Sequence, residues 1–185
     1  MTTEISALMA AAAERTVPIV QGIRDDQLGD PTPCDKFQVR DLLNHLFQVV
    51  VSFQGAARNE PLDFSDMPDF VTADWRDRFA TETERMIAAW SDPAALEGIS
   101  PGMGMPQPLV GNLALADLTL HGWDLATATG QPYRPADAAV DHLFPFVQQM
   151  APTGRQMGAF GTEVPAPEDA GTFERLLAIS GRAPA

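Results

Sequence analysis

A single cysteine, Cys34, stands among 185 residues. That excludes an intramolecular disulfide, and it excludes a metal site built from several cysteines of one chain. Long apolar runs are missing as well. No stretch of about 18 consecutive apolar residues occurs, so no membrane-spanning helix is expected. The first twenty residues, MTTEISALMAAAAERTVPIV, lack the basic cluster of an export signal, and Glu14 with Arg15 interrupts their apolar run. A cytoplasmic location is the resulting expectation. Basic residues are scarce: 12 Lys and Arg against 25 Asp and Glu leave a net charge of −13. A polyanion favours basic surfaces, so nucleic acid is not an expected partner. There is no phosphate-binding loop or dinucleotide fingerprint, because the GMG of PGMGMP lacks the strand and helix such motifs need. Internal repeats, low-complexity tracts and alternating strand patterns are absent too.

What is present reads as helix. Hydrophobic residues make up 45% and charged residues 20%, which are the proportions of a globular chain. The length suits one domain spanning 1–185. Apolar residues from Ile5 to Ile23 fit helical spacing within 4–28, with Pro18 expected to kink or break the run. Residues Val39 to about Arg58 carry Leu42, Leu43, Leu46, Val49, Val50 and Phe53 at three- and four-residue steps, the spacing of one buried face. Further helices are expected at 70–91, Leu109–Thr129 and Ala136–Met150, and a short last one at TFERLLAIS. Gly130 is a natural stop for the fourth. SDPAALEGISPGMGMPQPL and the tail after Met150 read as loop. The three tryptophans, Trp75, Trp90 and Trp123, read as core. The predicted class is all-α, an up-down four-helix bundle with additional short C-terminal helices.

The fourth helix carries the chemistry. It is apolar on nearly every side, and a helix of that kind is normally buried. Asp117, His121 and Asp124 interrupt it. At about 100° per residue, these positions share one face. Buried charges are costly unless paired or bound to metal. Two readings fit. Asp117 and His121, one turn apart, can grip one metal ion with His45 of the second helix as the third ligand. Alternatively, Asp117 and His121 form a helix-surface pair and His45 is a hydrogen-bonded core residue. Asp124 can orient His121 or cap a neighbouring segment. His142 has no evident partner. Cys34 reads either as a reactive thiol or as a small side chain packing a helix entry.

Three segments, TPCDKFQVRDLLNHL at 32–46, DLTLHGWDLATATG at 117–130 and FGTEVPAPEDAGTFERLLAISGR at 160–182, together resemble the DinB-like superfamily. The likeness is specifically to proteins related to the metal-binding domain of mycothiol-dependent maleylpyruvate isomerase. The resemblance implies a four-helix bundle with a mononuclear metal site, usually zinc, whose ligands fall on His45, Asp117 and His121. The family usually has Glu where this chain has Asp117, and Gly-Trp-Thr or Gly-Trp-Ser where it has Lys36-Phe37-Gln38. The second change removes a Ser/Thr N-cap, a loss of about 1 kcal/mol. The isomerase adds a C-terminal domain; this chain has a short tail of its own there.

The implied function is that of a divalent-metal protein, zinc first with nickel or iron as the other candidates. It would act as a thiol-cofactor transferase or isomerase on a small electrophile, with a low-molecular-weight thiol such as mycothiol as donor. The alternative is a non-catalytic metal- or ligand-binding bundle acting through association. Related bundles often pair, so a homodimer is a further expectation.

Overall fold

The computed structural model describes residues 2–66 and 68–183. Six α-helices account for most of them: α1 Glu4–Gly22, α2 Val39–Ala56, α3 Trp75–Trp90, α4 Gln107–Thr129, α5 Asp137–Gln156 and α6 Thr172–Ile179. Among the described residues the only strand-like pairing is two isolated bridges, Pro31 with Gln38 and Ile99 with Pro106. The chain is all-α, as its periodicity implies. No described helix is long and apolar enough to cross a membrane.

α1, α4, α2 and α3 pack in that order around a shared core, with α3 closing back on α1. Met9, Leu43, Phe47, Phe79, Trp90 and Leu118 lie fully buried where they meet. α5 lies against α4 and α1, and α6 packs on α5. Trp75 and Trp90 are core residues as expected, while Trp123 is half-buried at its edge.

Boundaries depart from the apolar pattern where tertiary contacts outweigh it. Pro18 does not end α1, which runs on to Gly22. Proline removes one ladder bond, and the burial of Ile19, Val20 and Ile23 beyond it holds the last turn in place. α3 starts at Trp75, not at 70, because Asp74 takes a left-handed conformation (φ 59°, ψ 18°). The apolar residues before it form a strap. The Phe70 ring stacks on Phe47 at 5.3 Å, and the Phe70 N–H donates to Asn44 Oδ1 at 2.7 Å. α5 runs through Pro145 and Pro152 to Gln156, six residues past the expected end at Met150. Ala151 and Gly154 are buried there, and Gly154 packs on the Phe160 ring. α2 does lack a Ser/Thr N-cap: Gln38 stands there, and its side chain makes no capping hydrogen bond. Asp41 Oδ2 compensates in part by accepting the Gln38 N–H at 3.1 Å.

α4 is held most closely of all. Gln107 Nε2 donates to Ala56 O at 2.6 Å and ties its start to the end of α2. Thr16 Oγ1 of α1 donates to Leu118 O at 2.8 Å, and the Tyr133 hydroxyl to Thr119 O at 3.1 Å. This approach needs a glycine. A Cβ at Gly122 would collide with Thr16 Oγ1 and lie 3.0 Å from the Tyr133 oxygen. Alanine in a helix interior is normally favoured over glycine by about 1 kcal/mol, whereas overpacking costs about 1–3 kcal/mol. Gly122→Ala is therefore expected to lower the denaturation midpoint. A midpoint at or above wild type in urea unfolding would show that the contact yields.

Candidate metal centre

Side-by-side packing of α2 and α4 brings His45 against the Asp117–His121 turn. His121 Nε2 lies 3.4 Å from Asp117 Oδ1, and His45 Nε2 lies 3.9 Å from the same oxygen. The two imidazoles meet edge to face, 5.1 Å between centroids. One ligand atom from each of the three residues lies within 4.8 Å of the others. Donors at 2.0–2.2 Å from one tetrahedral ion stand roughly 3.4 Å apart, so the side chains must draw together by up to about 1.4 Å to share a cation. His121 is buried, while the side chains of His45 and Asp117 are 23% and 28% exposed. Two nitrogens and one oxygen thus converge from the protein side and leave the outer side open. The Phe37 ring stacks on His45 at 5.6 Å and covers one imidazole face.

A second layer fixes His121. Its Nδ1 lies 2.9 Å from Asp124 Oδ2. Asp124 is fully buried, and it also accepts Arg182 Nε at 2.9 Å on Oδ1 and Nη2 at 2.7 Å on Oδ2. A carboxylate paired with a guanidinium only accepts, so the proton of neutral His121 sits on Nδ1 and the Nε2 lone pair faces Asp117. Asp124 is therefore the orienting partner of His121, and not a cap. Arg182 escaped the sequence reading. The one signal for it is that a buried Asp inside an apolar helix demands a cation from elsewhere.

The electrostatics follow from these contacts. Burial raises the Asp117 carboxyl, but the imidazoles of His121 and His45 beside it outweigh burial when they carry charge and hold the group well below the usual carboxylate range. Burial works against a charged His121, yet Asp117 and Asp124 together raise its pKa. Asp124 is lowered, because His121 and Arg182 overcome its desolvation.

The other candidates fall outside the cluster. His142 on α5 has a partner after all: Nε2 lies 2.9 Å from Asn112 Oδ1 of α4. Cys34 sits in a turn braced by Thr32 Oγ1, which accepts its N–H at 3.2 Å. It borders a cavity of about 150 Å³ shared with Lys36 and Arg182. Burial, then the charge of Asp124, pushes its thiol pKa up, which disfavours the reactive-thiol reading.

These shifts have a sign that can be measured on metal-free protein. A raised His121 contributes stability that is complete below its unfolded pKa of about 6.5 and is lost as pH rises through the folded value. Lowered Asp117 and Asp124 contribute stability present above about pH 3.9 and lost as pH falls through their folded values. The melting temperature is expected to peak between these limits and decline on the alkaline side. His121→Gln should flatten that decline, and an unchanged alkaline slope in the variant would contradict the pairing.

A family model described as the mycothiol maleylpyruvate isomerase N-terminal domain matches residues 9–126. The match takes in His45, Asp117, His121 and Asp124 and leaves out Arg182. Two curated relatives are the uncharacterized proteins MT0763 and Rv0738 of Mycobacterium tuberculosis, strains CDC 1551 / Oshkosh and ATCC 25618 / H37Rv. Each is 30% identical over 175 residues, which is 92% of this chain and 93% of the relative. No solved structure matches. With a match over more than half its length, the chain belongs to the family of the mycothiol maleylpyruvate isomerase N-terminal domain.

Proposed function

We infer that His45, Asp117 and His121 hold one divalent metal ion, zinc by ligand type, and that the protein uses it to present a low-molecular-weight thiol to a small electrophile. The observation that carries this reading is the convergence of two imidazole nitrogens and one carboxylate oxygen on a single point with one side open. Three protein ligands with a free position is the pattern of a catalytic site, whereas structural sites are closed. A divalent ion there would lower the pKa of a thiol taken up at the open position.

The chain's own residues divide the work. His45 and His121 offer Nε2, and Asp117 offers an anionic oxygen held ionised by both. Asp117 is one methylene shorter than the glutamate the family usually has, so the ion would sit close to α4. Phe37 shields one face of His45. The family description names mycothiol, which makes a cysteine-containing cofactor thiol the first candidate donor. A chain with one cysteine and no disulfide suits a reducing compartment such as the cytoplasm, where such thiols stay reduced.

Protein purified without a histidine tag should contain close to one equivalent of a divalent metal by mass spectrometry. Saturating zinc at about 100 times its Kd would add about 2.7 kcal/mol, which for a chain of this size raises the melting temperature by roughly 5–10 °C. His121→Ala should lose both the metal and the shift. Wild-type protein that neither retains nor responds to zinc or nickel would overturn the ligation. For the chemistry, metal-loaded protein is given a thiol and a panel of electrophiles. Inactivity across all of them would overturn the transferase reading and leave a metal-binding bundle that acts by association.

A further inference from the structure

We propose that Arg182 is a positioning residue of the metal centre: the turn that ends α6 delivers its guanidinium to Asp124, and this contact locks the His121 imidazole in the tautomer and plane that ligation needs. The inference deepens the proposed function and rests on its ligation reading.

The delivery is built into the backbone. α6 ends at Ile179, Ser180 is its cap, and Gly181 takes φ +85° in the left-handed region. The Gly181 N–H donates to Ala178 O at 3.1 Å and the Arg182 N–H to Leu177 O at 2.9 Å. These two bonds define a Schellman turn, in which the residue after the left-handed glycine folds back against the helix. That residue is Arg182. Only glycine serves at 181, since a Cβ there would lie 2.6 Å from Gly161 Cα. Gly161 itself is anchored by its N–H to Ser180 O at 3.2 Å. The turn is thus clamped on both sides, and its product is a side chain only 6% exposed and aimed at α4.

The contact has the geometry of orientation. Nε meets Oδ1 and Nη2 meets Oδ2, a two-pronged arrangement that stops the carboxylate from rotating. Oδ2 is also the acceptor for His121 Nδ1. With the carboxylate fixed, the imidazole plane is fixed, and Nε2 points at Asp117. A buried ion pair is weak evidence for stability, because burying both charges offsets their attraction. Orienting a ligand is a role such a pair fills well, and loss of an outer-shell partner typically costs about 10- to 100-fold in metal affinity. Arg182 is 58 residues from Asp124 in sequence and lies beyond the family match, so this lock is supplied by the segment after α5.

Three full-length variants test it: Arg182→Met, Arg182→Lys and Gly181→Ala. Each is checked for folding by far-ultraviolet circular dichroism. Two readouts follow, zinc affinity by chelator competition and the ring-nitrogen NMR signature of neutral His121 in metal-free protein. Wild type should show the Nδ1–H tautomer. Arg182→Met and Gly181→Ala should lose about 10- to 100-fold in zinc affinity and show mixed His121 tautomers. Arg182→Lys, which keeps a cation near Asp124 but loses the two-pronged contact, should recover only part of both. Wild-type zinc affinity and an unchanged His121 signature in Arg182→Met would overturn the proposal. Should Arg182→Met fail to fold, the same two readouts on Gly181→Ala decide. If wild type binds no zinc, the ligation reading fails by itself, while the His121 signature still decides whether Arg182 sets the tautomer.

Discussion

Charge buried on an apolar helix must find its opposite, and α4 is arranged around that requirement. Asp124 is fully buried and His121 nearly so, on a helix otherwise lined by leucine, alanine and valine. Asp124 meets its need through Arg182 and His121, and His121 meets its own through Asp124 on Nδ1, which leaves Nε2 beside Asp117. His45 joins from α2 at the solvent edge. The result is a polar line running from a buried guanidinium to a partly exposed pair of donors. Each member is held by the next, and at the outer end His45 and Asp117 remain partly exposed.

The bundle exists in a form that serves this line. α1 approaches α4 so closely that Gly122, the neighbour of His121, has no room for a side chain. Thr16 and Tyr133 bond to α4 carbonyls from outside, and Gln107 ties its first turn to α2. These contacts leave α4 little freedom to rotate, and rotation is what would separate Asp117 and His121 from His45. Metal ligands tolerate errors of a few tenths of an ångström, so a helix gripped on several sides is a better platform than a loop.

Much of the fold was legible in the sequence. The apolar spacing of Leu42 to Phe53 and the all-round hydrophobicity of Leu109 to Leu125 place α2 and α4 within two residues of where they lie. Spacing also put Asp117, His121 and Asp124 on one face. The misplacements share a cause: local signals were read where distant contacts rule. Phe70 looked like the start of a helix because it is apolar, yet it is apolar to stack on Phe47. Pro18 read as a kink or break and the tail after Met150 as loop, yet burial around Ile19 and Ala151 carries both helices on. The spacing gave His142 no partner and left Cys34 between a reactive thiol and a packed helix entry; Asn112 belongs to another helix, and the Thr32 turn carries too little local signal to be read from the chain.

Sequence by itself determined the helices, the acidic surface and the chemistry on one turn of α4, because periodicity and spacing are local properties of the chain. It left open whether His45 faced that turn or the general core, since nothing within α2 records which neighbour it packs against. It was silent on Arg182, one of several arginines near a helix end. Only the tertiary structure decided these. It sets the register of α2 on α4 through packed side chains, and it carries a charge from the last helix to a partner 58 residues away. Pairings of that kind arise from burial, where a lone carboxylate is too costly to leave unmet, and burial is known only once the helices are together.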